Sequence, residues 1–80
     1  MQRSEVFKLI TKERKRQDAM GRSIEAKPHE PATWLFIAQA EMDEAKHACL
    51  KLRRSELVTE VVQTAAVLVA MLEQLADGEA

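Results

Sequence analysis

The stretch from Leu57 to Leu75 constrains this chain more than any other, because read as a helix it is apolar nearly all the way round. One stripe runs Leu57, Val61, Thr64, Leu68, Leu72 and Leu75 at helical spacing, with Val58, Val62, Ala65, Val69 and Met71 beside it. A helix of that kind has to be covered on more than one side. Eighty residues make a single domain, residues 1–80, and leave only two other short helices for the covering. The expectation is an all-α, three-helix bundle that assembles as a homo-oligomer, a dimer or tetramer, chiefly through the third helix.

The rest of the chain reads the same way. Two Gly, two Pro and no Tyr supply little turn chemistry for a sheet-rich fold. Ser4 before Glu5 is an N-cap for a first helix whose face is marked by Val6, Phe7, Ile10 and Arg14, with Gly21 as its stop. Residues 21–30 lack periodicity and read as a loop. Pro31 suits the first position of a second helix, where its missing N–H costs nothing. That helix carries a stripe at Trp34, Ala38, Glu41, Ala45, Ala48 and Leu52, in steps of four, three, four, three and four. Its small residues fit close approach of a neighbouring helix, and Arg53-Arg54-Ser55 ends it. Ser55 then caps a third helix from Glu56 to about Ala76, stopped by Asp77-Gly78. Trp34 is expected as a core anchor, His29 as part of the loop and cap, Cys49 as a small buried hydrophobe, and Met20, Met42 and Met71 as gap fillers.

Composition narrows the class. An apolar fraction of 46% and a charged fraction of 31% are those of a chain that folds. The net charge of −1 hides a split: residues 1–27 carry eight Lys/Arg against four Asp/Glu, and residues 28–80 carry four against nine. Such a split suits a polyanion held near bound cations, or attraction between subunits, although a solvated charged face is the plainer reading. One cysteine gives neither a disulfide framework nor a paired-thiol metal site. The most apolar run, Val61 to Leu72, falls short of the roughly 20 residues of a membrane span, and residues 1–5 lack a signal-peptide stretch. A soluble, cytoplasmic chain is expected.

Chemistry concentrates in the acids that interrupt the apolar pattern. Glu41 sits within the stripe of the second helix, and Glu44 lies three residues on, about 60° round the axis and one turn along. Glu60 and Gln63 repeat that spacing on the third helix. If the two helices pack antiparallel, the pairs can face one another. Carboxylates buried without partners cost several kcal/mol each or stay protonated, and a hard divalent cation removes that penalty. The simpler alternative is charged side chains on a solvated helix surface, paired with Lys46 or Lys51.

The order Glu5-Val6-Phe7, Glu13-Arg14 with Arg16-Gln17, Gly21, then His29, Pro31 and Trp34-Leu35 resembles the front of compact MazG-like proteins. These belong to the all-α nucleoside triphosphate pyrophosphohydrolase superfamily. The likeness continues through Ala40-Glu41-Met42-Asp43-Glu44-Ala45 and Glu60-Val61-Val62-Gln63-Thr64, covering about residues 5–75. The family's metal motif is E-E-x-x-E followed by E-x-x-D. Glu41, Glu44 and Glu60 match three of its carboxylates, while Ala40 replaces the first glutamate and Gln63 the aspartate. The resemblance implies Mg²⁺, with Mn²⁺ as the alternative ion, held by Glu41, Glu44, Glu60 and Gln63. It also implies attack of a metal-activated water on the α-phosphorus of a nucleoside triphosphate, releasing a nucleoside monophosphate and pyrophosphate. Lys46, Lys12 and Arg14 are the candidates for contacting phosphate, since no Gly-rich phosphate loop is present.

Three functions follow. The first is a Mg²⁺-dependent nucleotide pyrophosphohydrolase, with Glu41, Glu44 and Glu60 as its catalytic carboxylates. The second is a weakened or inactive relative that keeps the helical assembly as a binding or structural module, favoured by Ala40 and Gln63. The third, a nucleic-acid binder using Lys8, Lys12, Lys15 and Arg16, ranks last because Glu13 and Asp18 interrupt the basic run.

Overall fold

Helical periodicity dominates every long segment, and the described residues of the computed structural model form three α-helices: α1 (Arg3–Ala19), α2 (Pro31–Leu50) and α3 (Arg54–Ala76). A single 3₁₀ turn, Ile24–Ala26, lies in the connection between α1 and α2. The structure describes residues 1–21 and 23–77, and among these there is no strand. Gly78, expected as part of the stop for α3, lies outside the described residues.

α1 starts earlier than Ser4. Its N-cap is Gln2, whose backbone N–H donates to Glu5 Oε1 at 3.2 Å, so Glu5 satisfies one of the free N–H groups of the helix start. Gly21 adopts φ +26°, as its role after the helix end requires. α2 opens on Pro31 as its first residue. It ends at Leu50 rather than at Arg53-Arg54-Ser55, through a Schellman turn: Arg53 N–H donates to the Ala48 carbonyl (3.0 Å) and Leu52 N–H to that of Cys49 (3.1 Å). Leu52, expected to close the apolar stripe, instead occupies the left-handed position of that turn at φ 56° and is 91% exposed. Ser55 is not the cap of α3 either, since the helix has already begun at Arg54.

The three-residue connection at 51–53 turns α3 back along α2. Trp34, near the start of α2, reaches Gln74, near the end of α3, while Glu41 meets Glu60 further along; the helices are therefore antiparallel. Trp34, Ile37 and Ala38 of α2 pack with Val67 and Ala70 of α3, with Met71 against them. Ala45, Ala48 and Ala66 extend the interior. α1 lies against α3, tied to it by the Arg14–Glu73 ion pair at 3.2 Å.

The buried face of α3 is not the expected one. Thr64, Ala66, Val67 and Ala70 are buried, whereas Val61 (50%), Leu68 (39%) and Leu72 (65%) are exposed. In a helix apolar nearly all round, spacing alone cannot choose which arc meets α2, so the inward arc is rotated from the expected stripe and shares Thr64 with it. Phe7 likewise points outward, and the inner face of α1 holds Val6, Ile10 and the buried Gln17. Cys49 is exposed rather than buried, because it sits at the edge of the buried arc in the last turn of α2. Of the three methionines expected to fill gaps, Met71 does so, while Met20 and Met42 are exposed. The apolar run counted in the sequence is shorter than the helix containing it. α3 as a whole has the length and composition of a membrane span, with mean hydropathy 1.5 over an 18-residue window, of which 22% is buried. Few residues of that window are enclosed within one chain.

Candidate metal centre

On α2 the inward arc is Trp34, Ile37, Ala38, Ala45 and Ala48, and Glu41 lies in the middle of it. A helix cannot step its backbone round one residue, so packing α2 on α3 carries the Glu41 carboxylate into a half-buried position. Glu44 follows one turn on and is more exposed. Across the interface, Glu60 and Gln63 are half-buried beside Thr64, whose hydroxyl donates to the Glu60 carbonyl at 2.8 Å. Each of Glu41, Glu44 and Glu60 offers a carboxylate oxygen, and these oxygens lie within 4.8 Å of one another. The facing of the two pairs, expected from spacing, is present.

Three like charges at that separation oppose ionisation. Burial first, and then the charges of Glu44 and Glu60, push the Glu41 carboxyl from 4.5 up to about 7. Glu60 is raised as well, by burial and then by a hydrogen bond and charge from Glu44. Gln63 offsets part of the strain. With its amide nitrogen turned to the carboxylates it donates to Glu41 Oε2 (3.2 Å) and Glu60 Oε2 (3.1 Å). A donating nitrogen is the wrong end of the amide for a metal, so acting as a ligand would need a half-turn of the group to present its carbonyl.

The donor set fits Mg²⁺. Metal–oxygen distances of about 2.1 Å place octahedral ligand oxygens about 3 Å apart when adjacent and about 4.2 Å apart when opposite. Three carboxylate oxygens within 4.8 Å of one another must draw closer to reach that spacing, and they leave further positions for water or phosphate. Ala40, next to Glu41 in sequence, is exposed.

α1 supplies a second tier of charge that spacing did not single out. Glu13 accepts from Arg16 through both carboxylate oxygens, Nε to Oε1 and Nη2 to Oε2, each at 2.8 Å. That bidentate bond holds the Glu13 carboxyl below its usual value. Gln17, buried behind it, donates to Glu13 Oε2 at 3.1 Å and accepts from Arg14 Nη1 at 3.1 Å. The charges of Glu25 and Glu13 are felt at Glu41, and the Arg16 guanidinium is raised first by its hydrogen bond to Glu13, with smaller effects from the charges of Glu25 and Glu41. A signal for this group existed, since Glu13, Arg16 and Gln17 share one face at i, i+3 and i+4. Nothing in α1 alone says that this face turns toward the acids.

The three phosphate candidates are placed differently. Lys12 lines a groove with Glu13, Arg16, Val58, Thr59 and Val62. Arg14 is committed elsewhere, to Asp18 (2.6 Å) and Glu73 (3.2 Å). Lys46 lies 3.8 Å from Asp43 on the exposed side of α2. His29 and Trp34 have the structural roles expected of them. Trp34 is buried and donates from Nε1 to Gln74 Oε1 at 2.9 Å, and the His29 ring meets its edge at a centroid distance of 4.8 Å. Compared with known proteins, the chain matches no family model, no curated protein and no solved structure.

Proposed function

We propose that this chain is a Mg²⁺-dependent nucleoside triphosphate pyrophosphohydrolase of MazG-like type, working as a soluble cytoplasmic homo-oligomer. The observation that carries the reading is the meeting of Glu41, Glu44 and Glu60, from two helices, within 4.8 Å at a half-buried position. Nothing in the packing of α2 on α3 requires a carboxylate at position 41, where Ala or Leu would fill the arc at lower cost. Glu41, Glu44 and Glu60 hold the cation, in this reading, and Gln63 completes the set by turning its carbonyl inward. When bound, Mg²⁺ supplies positive charge against phosphate oxygens and acidifies a water for attack at the α-phosphorus.

The uncovered face of α3 supports the oligomer. Val61, Leu68 and Leu72 form an apolar row on the side away from α2, and a second copy of the same helix is the simplest cover. Such an assembly accounts for the apolarity of α3 without a membrane. The test is pyrophosphate release from a panel of nucleoside triphosphates with Mg²⁺, beside a Glu44→Ala variant of unchanged helicity. Release by the wild type and its loss in the variant support the reading, and no release from any triphosphate sinks it. Sedimentation of wild type and Leu68→Glu tests the assembly, and a wild-type monomer removes it.

One observation favours a second reading, a helical module without turnover. With its nitrogen turned inward, the Gln63 amide bonds oxygens of both Glu41 and Glu60, so a side chain can take the place of a cation between them. Mg²⁺-dependent thermal stabilisation with no pyrophosphate released selects this alternative.

A further inference from the structure

α3 has three sides, and one chain covers two of them. Val67 and Ala70 meet α2, and the side carrying Thr59, Val62 and Glu73 meets α1. At 100° per residue these two directions leave a third arc at Val61, Ala65, Leu68 and Leu72, and all of these but Ala65 are exposed. α2 carries a matching row. Leu35, Met42 and Cys49 recur every seventh residue, a drift of only about 20° per step, and all three are exposed. Both rows emerge on the same side of the α2–α3 seam. Viewed from one end, antiparallel helices wind in opposite senses, so side chains advanced by the same angle from the two inward arcs come out together, as Met42 and Leu68 do. At one end of the seam Cys49 shares a groove with Leu57, which lies one turn before Val61.

We infer that a second copy of this chain covers this two-helix face, each copy laying α2 and α3 on those of the other about a two-fold axis to make a four-helix layer. The inference rests on the homo-oligomer reading above and extends its contact from α3 to α2. Area favours the extension. Helices of this length, about 30 Å, packed about 9–10 Å apart, present a face of roughly 30 Å by 20 Å. With its relief, such a face approaches the ~800 Å² per partner of a stable interface, and the α3 row alone offers about half of it. Neither row carries a charge, so nothing ionic is desolvated when the two faces meet. The interior of one chain also calls for a permanent partner. Among the described residues its buried apolar side chains are Trp34, Ile37, Val67 and five alanines, a small core for 80 residues. A partner needed for stability has to be present whenever the chain is, and a second copy meets that condition. Glu44 leaves α2 about 200° round from Met42, so the carboxylates stay open when this face is covered.

The test is sedimentation of the full chain over a concentration series, beside Met42→Glu on α2, Leu68→Glu on α3 and Phe7→Glu on the exposed face of α1, with helicity checked by circular dichroism. Wild type and Phe7→Glu should run at twice the monomer mass, and Met42→Glu and Leu68→Glu should lose the dimer. A dimer that survives Met42→Glu overturns the inference while the homo-oligomer reading stands. A wild-type monomer, including one that instead binds vesicles of neutral lipid, ends both. Should a glutamate variant lose helicity, Met42→Cys in a Cys49→Ser chain decides. Its thiol should be alkylated slowly in concentrated protein and faster on dilution, and equal rates overturn the inference.

Discussion

Gln74 carries the peptide backbone of His29 on its side chain: its Oε1 accepts from the His29 N–H at 2.9 Å, and its Nε2 donates to the His29 carbonyl. The same Oε1 accepts from the Trp34 indole. One glutamine near the end of α3 thus pins the connection between α1 and α2 and satisfies the buried tryptophan at the start of α2. Leaving such groups unpaired costs about 1–3 kcal/mol each when they are fully enclosed.

Gln74→Ala should therefore lower stability by about 2 kcal/mol, or roughly 8–16 °C in Tm for a domain of this size. Gln74→Glu keeps the acceptor and loses the donor, and should cost less. Chemical denaturation of both variants checks the order; equal stability of Gln74→Ala and wild type would show that the clamp contributes nothing.

The carboxylate cluster makes stability depend on pH in a set direction. Glu41 titrates near 4.5 in an unfolded chain and about 7 in the folded one, so the fold binds the proton more tightly. The contribution is intact below about pH 4.5 and is lost as pH rises through about 7. Without divalent cation, Tm should fall between pH 5 and pH 8. Discounted for solvent screening of a half-exposed group, the loss is about 1 kcal/mol, or about 4–8 °C. Glu60 adds in the same direction. Glu13, lowered by Arg16, acts oppositely and only as pH falls below about 4.5. Mg²⁺ should restore Tm at pH 8 and have little effect at pH 5, and Glu41→Gln should flatten the profile. Thermal melts across pH read all three; a Tm that climbs toward pH 8 without metal contradicts the account.

Gln63→Glu is isosteric and exchanges an amide that donates to Glu41 and Glu60 for a fourth negative charge. Mg²⁺ binding should tighten about tenfold, as expected for replacing a neutral oxygen ligand by a charged one. In the absence of cation the same variant should melt at a lower temperature than wild type. Opposite movements of the two quantities are the signature. Weaker Mg²⁺ binding in the variant would place the metal away from Gln63.

Leu52 occupies the left-handed position of the turn after α2, where a Cβ crowds the following carbonyl. Leu52→Gly relieves strain of about 1–2 kcal/mol, partly offset by the greater freedom of glycine in the unfolded chain. The net expectation is a gain of about 0.5–1 kcal/mol, visible as an increase of a few degrees in Tm. A decrease instead would mean that the exposed Leu52 side chain is covered by another molecule in solution.

Some of this was legible before any coordinates. Pro31, Gly21 and the run of stripe residues are local signals, and they located the start of α2 and the end of α3 as observed and the other ends to within a few residues. Glu41 and Glu44, like Glu60 and Gln63, were recognisable because a spacing of three is a property of one helix. The short connection after Leu50 then brought the pairs together. The Schellman turn at Leu52 was not legible, since Gly or Asn normally marks that position and Leu does not.

By itself the amino-acid order determined that the chain is helical, where its helices lie to within a turn, and which acids share a helix face, because backbone hydrogen bonding and residue spacing are local. Only the tertiary structure decided which arc of α3 goes inward and which stays uncovered, because a helix apolar on most sides can satisfy α2 in several rotations. It also decided that the charge of Glu13 on α1 is felt at Glu41, while Arg14 is spent on Asp18 and Glu73. Charge interactions between helices depend on how the helices dock, and docking is set by the whole interior at once.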